Sequence, residues 1–234
     1  MNPTSQSTTK GTGIPNGSAI PCQLYLSVCA SSGMANVERV AAILQKVAIP
    51  SLLLEPKNGE TLTATHVLPF IDTAHENGVA VMIADDPCLA RTVKADGIHL
   101  NWSLDGLDRL SEAREIAGGR LMIGADAGFS RHNAMVIAEA GAEYVAFGLP
   151  AGTVDLAKGA SDRSEMVEWW SEVFEIPCVA TDIEGADEQA ASDLAAAGAD
   201  FVCVRTPEGK STADLIEWAE RLVHRLDQKQ AAAA

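Results

Sequence analysis

The chain is short of basic residues, has no paired cysteine motif and contains no long apolar run. Lys and Arg total 17 against 32 Asp and Glu, a formal net charge of −15 with a pI near 4.6. So acidic a chain repels the phosphates of nucleic acid, which argues against non-specific nucleic-acid binding. The same field opposes a diphosphate substrate, which would need local lysines, helix N-termini or Mg²⁺ to offset it. No apolar stretch approaches the roughly 20 residues that cross a bilayer. The first residues show no basic segment followed by an apolar one, so neither a membrane partner nor a secretory leader is expected. The five cysteines, Cys22, Cys29, Cys88, Cys178 and Cys203, form no CxxC pair. Buried free thiols in a reducing cytoplasm are the expectation.

What is present fits one sizeable core. The chain has 234 residues, 47% of them hydrophobic and 21% charged, an ordinary globular composition. Residues 1–20 are rich in Ser, Thr, Gly, Asn and Pro, with Lys10 their one charged side chain. Such a segment buries little apolar surface and is expected to be a flexible tail. Residues 21–228 read as one domain and 229–234 as a short C-terminal tail.

Within that domain, short apolar runs alternate with helical patterns. The predicted strands are Gln23–Val28, Ser51–Leu54, Val79–Ile83, Gly97–Leu100, Leu121–Ala125, Tyr144–Phe147, Cys178–Ala180 and Phe201–Val204. The predicted helices are Asn36–Val47, Thr63–Asn77, Pro87–Val93, Leu104–Ala117, Ser130–Ala140, Asp162–Phe174, Asp187–Ala197 and Ser211–Leu226. Apolar residues recur at spacings of three and four, as in Val37, Val40, Ala41, Leu44 and Val47. Continuous apolar strands between helices imply a parallel sheet with both faces covered. Eight such units at this length favour α/β architecture as a single (β/α)8 TIM barrel with a disordered N-terminal tail. A weak repeat agrees: Ala95-Asp96-Gly97, Ala142-Glu143-Tyr144 and Ala199-Asp200-Phe201 each join a helix end to a strand. Tight joints of this kind recur in barrels and need carry no chemistry.

The stretch Ala84 to Leu100 is the most informative. Asp85 and Asp86 follow an apolar run, a short helix comes next, and Gly97-Ile98-His99-Leu100 closes the unit. The carboxylates therefore sit where a strand gives way to its βα loop, the face on which barrels bind ligands. This stretch resembles the thiamine-phosphate synthases and the related thiazole tautomerases, which carry an Asn-Asp strand end followed by "LA…ADG(I/V)HLGQ". The resemblance runs from about Leu24 to Val204.

The resemblance implies a set of site residues, and each strand end is compared with it. After the second strand, Lys57 matches the family's phosphate-binding lysine, but Glu55 stands where an arginine clamps the pyrophosphate. After the third, Asp85 matches the metal-binding aspartate, a hard oxygen donor suited to Mg²⁺, and Ala84 replaces the Asn. Asp86, directly before Pro87, has the pattern of a helix N-cap. After the fourth, Asp105 reaches the second metal position only with a one-residue insertion. His99 reads as a barrel-interior residue or, alternatively, a substrate-binding base. Alternatively, Ser103 caps the next helix and Asp105 is a favourable first-turn charge. After the fifth, Asp126 replaces a phosphate-binding Ser, and either repels diphosphate or joins Asp85. His132 reads as exposed on a helix. After the sixth, Thr153 and Lys158 stand in a loop that departs from the family's "PTxTK". After the seventh and eighth, Asp182 replaces a Gly. Arg205 and Thr206 could bind one phosphate, or Arg205 could pair with Glu208 or Asp182.

Three readings follow. The resemblance implies a thiamine-phosphate synthase, joining a hydroxymethylpyrimidine diphosphate to a thiazole phosphate with release of pyrophosphate and Mg²⁺ as cofactor. A second reading is a catalytically impaired paralogue that binds a small phosphorylated ligand. A third is different chemistry, such as a tautomerase, on the same barrel. The helix carrying Trp169 and Trp170 either exposes an aromatic face for self-association, making a homo-oligomer, or packs on the barrel.

Overall fold

Eight apolar runs become eight strands because each is short, flanked by turn residues and followed by a helix of apolar spacing 3–4. The computed structural model describes residues 21–30, 33–57, 60–150, 152–185 and 187–233. The tail expected over residues 1–20 lies outside the described residues. The elements are β1 (Gln23–Cys29), α1 (Met34–Leu44), β2 (Ser51–Glu55), α2 (Ala64–Glu76), β3 (Ala80–Ala84), α3 (Pro87–Val93), β4 (Gly97–Leu100) and α4 (Gly106–Ala117). They continue with β5 (Met122–Asp126), α5 (Arg131–Glu139), β6 (Tyr144–Phe147), α6 (Leu156–Val173), β7 (Cys178–Glu184), α7 (Glu188–Ala196), β8 (Phe201–Arg205) and α8 (Thr212–Ala233). The strands pair in sequence order and β8 closes onto β1, all parallel. The architecture is the expected (β/α)8 TIM barrel.

Three ends differ most from expectation. β7 runs to Glu184 instead of Ala180, because a register shift between Ala180 and Ile183 lets the chain bulge and then resume pairing with β8. α6 starts at Leu156, where Asp155 caps it by accepting from Lys158 N at 2.9 Å. α8 continues to Ala233, past the end expected near Leu226 and through the segment read as a C-terminal tail.

Alternation along each strand divides the core in two. Val28, Leu52, Leu54, Ile83, Ile98, Val145 and Val202 face the helices in the larger cluster. Tyr25, Leu53, Met82, Ala84, Ala146, Val179 and Cys203 fill the barrel interior with Tyr144 and Phe201. Gly124 is required by this filling: a Cβ there would fall 1.9 Å from the Tyr144 ring. Trp170 is fully buried, stacks on Phe174 with centroids 4.1 Å apart and donates its indole N–H to Ile176 O at 2.7 Å. Trp169 is half-buried, with the Arg131 guanidinium 4.8 Å from its ring. Of the two placements open for this pair, Trp170 takes the buried one against the barrel, and Trp169 lies half-buried beside Arg131 of α5.

The repeated acid of the αβ joints has a structural job. Asp96, Glu143 and Asp200 each accept a backbone N–H near the start of the preceding strand, from Val81, Ile123 and Cys178, at 2.7, 2.7 and 2.8 Å. Each carboxylate ties a strand start to its neighbour at the N-terminal face, away from any ligand site. Of the cysteines, Cys22, Cys178 and Cys203 are buried as expected, whereas Cys29 is half-buried and Cys88 is exposed in the first turn of α3.

Candidate active site

The C-terminal ends of the strands carry two unlike regions. The first is an open cleft off the barrel axis. Its volume is about 580 Å³, with Asn36 and Arg39 of α1 on one wall, Pro56 and Lys57 after β2 on another, and the segment Arg205 to Gly209 after β8 on the third. Lys57, Arg205 and Thr206 are therefore brought together. The Thr206 hydroxyl donates to Ser27 O at 2.8 Å, and its backbone N–H reaches the same carbonyl at 2.9 Å, which pins the start of the loop to β1. Arg205 lies 3.4 Å from Glu55 and 3.6 Å from Glu184. The partners expected from sequence, Glu208 and Asp182, are not the ones it takes. Arg205 and Glu55 end neighbouring positions around the β8–β1–β2 rim, and alternation sends both to the mouth.

The second region is the barrel mouth itself, lined by Ser27, Glu55, His99, Asn101, Thr181 and Asp182 among others. Its free volume is about 10 Å³, at most one water. The Ser27 hydroxyl donates to Glu55, so the residue found in place of an arginine is held inward by β1. His99 is 1% exposed, and its Nδ1 lies 2.8 Å from the Tyr144 hydroxyl. Its Nε2 is buried with no partner among the described residues. Burial lowers the His99 pKa to about 4, against the pull of Asp85 and Asp182, so the ring is neutral at pH 7.

Asp126 sits deeper and does not join Asp85. It is buried on β5, accepting from Gly128 N at 2.7 Å and from the Thr181 hydroxyl at 3.1 Å. Burial pushes its pKa up to about 7; the N–H of Gly128 pulls the other way and the Asp182 carboxylate adds to the rise. Gly148 is the floor of this cluster. An added Cβ would lie 2.3 Å from Asp182 Oδ2, 2.4 Å from Asp126 Oδ2 and 2.5 Å from Thr181 Oγ1. Asp182 has φ 58, a left-handed backbone that Asp tolerates and Gly adopts freely. That explains how Asp can stand at the bulge where the resembling family has Gly. Its carboxylate accepts from Leu149 N at 2.8 Å.

Arg163 of α6, which the sequence did not single out, supports the acids from behind. It is 4% exposed, and its Nη1 donates to the carbonyls of Thr181 and Asp182 at 2.6 and 3.2 Å. No motif marks it; it reads as one more charge on a helix.

The remaining expected residues lie elsewhere. Asp85, also in the left-handed region at φ 59, accepts from Asn101 N at 2.9 Å and Asn101 Nδ2 at 2.8 Å, and pairs with Arg109 of α4. Asp86 caps α3 as its place before Pro87 implied, accepting from Leu89 N at 2.8 Å. Ser103 does not cap α4, which begins at Gly106 after Asp105; its hydroxyl donates to the Asp105 carboxylate instead. The Thr153 hydroxyl donates to Pro150 O at 2.7 Å. Lys158 is exposed and pairs with Asp162 one turn along α6 at 2.6 Å, and it does not line the cleft. His132 is exposed in the first turn of α5.

Comparison with known proteins gives the family. The family model described as thiamine monophosphate synthase matches residues 24–207. A thiamine-phosphate synthase from Erythrobacter litoralis is 45% identical over 139 residues, covering 58% of this chain and 62% of that protein. One from Rhodospirillum centenum is 39% identical over 189 residues, covering 78% of this chain and 87% of that protein. Among solved structures, thiamine phosphate pyrophosphorylase from Pyrococcus furiosus superposes with TM-score 0.65 at 20% identity, over 87% of this chain and 96% of that one. A 3-hexulose-6-phosphate synthase from Salmonella typhimurium gives TM-score 0.59 at 15% identity over 91% and 100%. At such identities the likeness is one of fold. Most of the chain matches the family model, and the chain therefore belongs to the thiamine monophosphate synthase family and is a thiamine-phosphate-synthase-like barrel.

Proposed function

We propose that this chain joins a hydroxymethylpyrimidine diphosphate to a thiazole phosphate, in the cytoplasm, with release of pyrophosphate. The observation that carries the reading is the meeting of Lys57, Arg205 and Thr206 at one cleft on the ligand face of a barrel from this family. In that reaction the C–O bond to the diphosphate breaks, the electron pair leaves with pyrophosphate, and the thiazole nitrogen forms the new C–N bond. Lys57 and Arg205 would hold the departing anion by charge-assisted hydrogen bonds, and Thr206 would border it. Burial of either phosphate in so acidic a chain requires those cations, because the net field opposes it.

Magnesium was expected on Asp85 and Asp105. The residues do not fit it as they are arranged. Both oxygens of Asp85 are taken, by the Asn101 amide, the Asn101 backbone and the Arg109 guanidinium. Asp105 is tied to Ser103. Among the described residues no three His, Cys, Asp or Glu side chains gather as a metal site. Among the described residues no helix is long and apolar enough to cross a membrane.

A second reading draws on a specific observation. Glu55, Asp126 and Asp182 line or underlie the mouth, where a diphosphate would meet like charge. That favours a paralogue which binds a phosphorylated ligand in the cleft without turnover. Assay of thiamine-phosphate formation by the purified chain, with both substrates and Mg²⁺ supplied, separates the two. Product that is lost in Lys57→Met supports the synthase. No product from folded protein that still binds a thiazole phosphate supports the second reading.

A further inference from the structure

We propose that Arg39 of α1 is a phosphoryl-binding residue of the off-axis cleft, supplying from the first helix the guanidinium that β2 lacks because Glu55 stands there. The inference rests on the cleft being the phosphate site and adds a ligand-binding residue that no motif points to. Arg39 lines the cleft opposite Lys57 and Arg205. Its Nη2 donates to Lys210 O, which fixes the plane of the guanidinium. Its Nε is buried and has no partner among the described residues, and Arg39 makes no ion pair among them. An N–H of a charged group left buried and unpaired is costly. Two neighbouring edge donors on a guanidinium match two oxygens of a phosphoryl group. A phosphoryl oxygen entering the cleft would meet the guanidinium that lines it, and a small turn of that side chain would bring the occluded, unpartnered Nε into the same contact.

The rest of the wall agrees. Arg205 is half-exposed and held only at 3.4 and 3.6 Å by its carboxylates, long for charge-assisted bonds, so an anion in the cleft competes for it directly. Asn36, one turn before Arg39, holds its own side chain on Cys29 O at 3.1 Å, which ties the start of α1 to the end of β1. Glu208 also lines the cleft and sets the limit of the basic patch. The volume of about 580 Å³ is in the range of sites for small organic ligands. The ligand class is a phosphate monoester or diphosphate of a small heterocycle, anchored by its phosphoryl group between α1 and the loops after β2 and β8.

The test is calorimetric titration with inorganic pyrophosphate at low ionic strength. The variants are Arg39→Met, which keeps the aliphatic stem, Arg39→Lys, which keeps the charge but removes Nε, and Arg221→Met as a remote charge control on α8. Binding weakened at least tenfold in Arg39→Met and severalfold in Arg39→Lys, with Arg221→Met like the parent, is the expected result. Equal binding by the parent, Arg39→Met and Arg39→Lys, with loss in Lys57→Met, would overturn the role of Arg39 while leaving the cleft as the phosphate site. No binding by the parent at millimolar pyrophosphate would overturn both. A readout on the unmutated chain guards against misfolded variants. The ¹⁵Nε–H resonance missing from the Arg39→Lys spectrum should shift on adding pyrophosphate to the parent, and an unmoved resonance at saturation would contradict the proposal.

Discussion

The two regions at the C-terminal face are opposites in charge and space. The mouth gathers Glu55, Asp126 and Asp182 around a neutral His99, with room for about one water. The cleft gathers Arg39, Lys57 and Arg205 around about 580 Å³. They meet at one ion pair, Arg205 with Glu55. In a chain of net charge −15, the cleft is where the described basic side chains of this face gather. The contrast teaches that acidic substitutions at family positions need not abolish anion binding. On the reading proposed above it shifts off the axis, because the acids of the mouth are engaged by Ser27, Thr181 and backbone N–H groups while Arg39, Lys57 and Arg205 line the cleft.

The largest effect should come from Arg163, whose buried guanidinium holds the β7 bulge beneath the mouth. Arg163→Met leaves two carbonyls and nearby acids without their cation, and should cost about 3 kcal/mol or more in urea unfolding, in line with breaking a buried ionic network. A loss under about 1 kcal/mol would mean the mouth does not depend on it.

Next in size is a pair of opposed pH effects. Asp126, raised from 3.8 to about 7, binds its proton more tightly folded than unfolded. Its contribution is full below about pH 4 and is lost as pH rises through 7. His99, lowered from 6.5 to about 4, does the reverse: the unfolded chain holds the extra proton, so stability rises with pH between those values. The two slopes offset each other in the parent. Asp126→Asn should unmask the His99 slope, a rise of about 3 kcal/mol between pH 4 and 6.5, and His99→Gln should unmask a fall toward pH 7. Unfolding curves measured at pH 4, 5.5 and 7 check both signs. Parallel profiles for all three proteins would dissolve the picture of a dry, protonation-balanced mouth.

Smaller again is Gly148→Ala. Its new Cβ would meet three polar atoms within 2.5 Å, and overpacking of this kind costs about 1–3 kcal/mol. A thermal shift of several degrees downward, with cleft binding of pyrophosphate retained, would sharpen the separation of the two regions. The smallest effect should be Arg109→Gln. The pair with Asp85 is partly exposed on both sides, so its loss should change stability by less than about 1 kcal/mol. The same variant removes the cation from Asp85 Oδ1 and leaves only the Asn101 backbone N–H on it, and manganese titration followed by electron paramagnetic resonance should show tighter binding than in the parent. Unchanged manganese affinity would show that Arg109 is not what keeps the metal position closed.

Much of the fold was legible because it rests on local rules. Eight apolar runs and eight helical patterns name a barrel, and Asp86 before Pro87 names its own cap. The site was less legible, for physical reasons. Strands buried on both faces read as continuous apolar runs, so sequence alone does not say that Glu55 turns inward to Ser27 or that Arg205 pairs with it. Arg39, Arg109 and Arg163 are helix residues whose partners lie far along the chain: Lys210, Asp85 and Thr181. The family pattern pointed to Lys57, and the chemistry of the last strand end to Arg205 and Thr206, which the cleft does gather. They also pointed to Lys158 and Thr153, whose side chains are engaged within α6 and its preceding loop. A motif marks positions along the chain; the charge at those positions depends on neighbours brought in by the fold.

The most direct test of the account is a crystal structure of the chain with pyrophosphate bound. The account predicts phosphorus density in the off-axis cleft, within hydrogen-bond reach of Lys57 and the guanidinium of Arg205, with the mouth unchanged. Density in the mouth against His99 and Asn101, with Glu55 and Asp182 displaced, would contradict it.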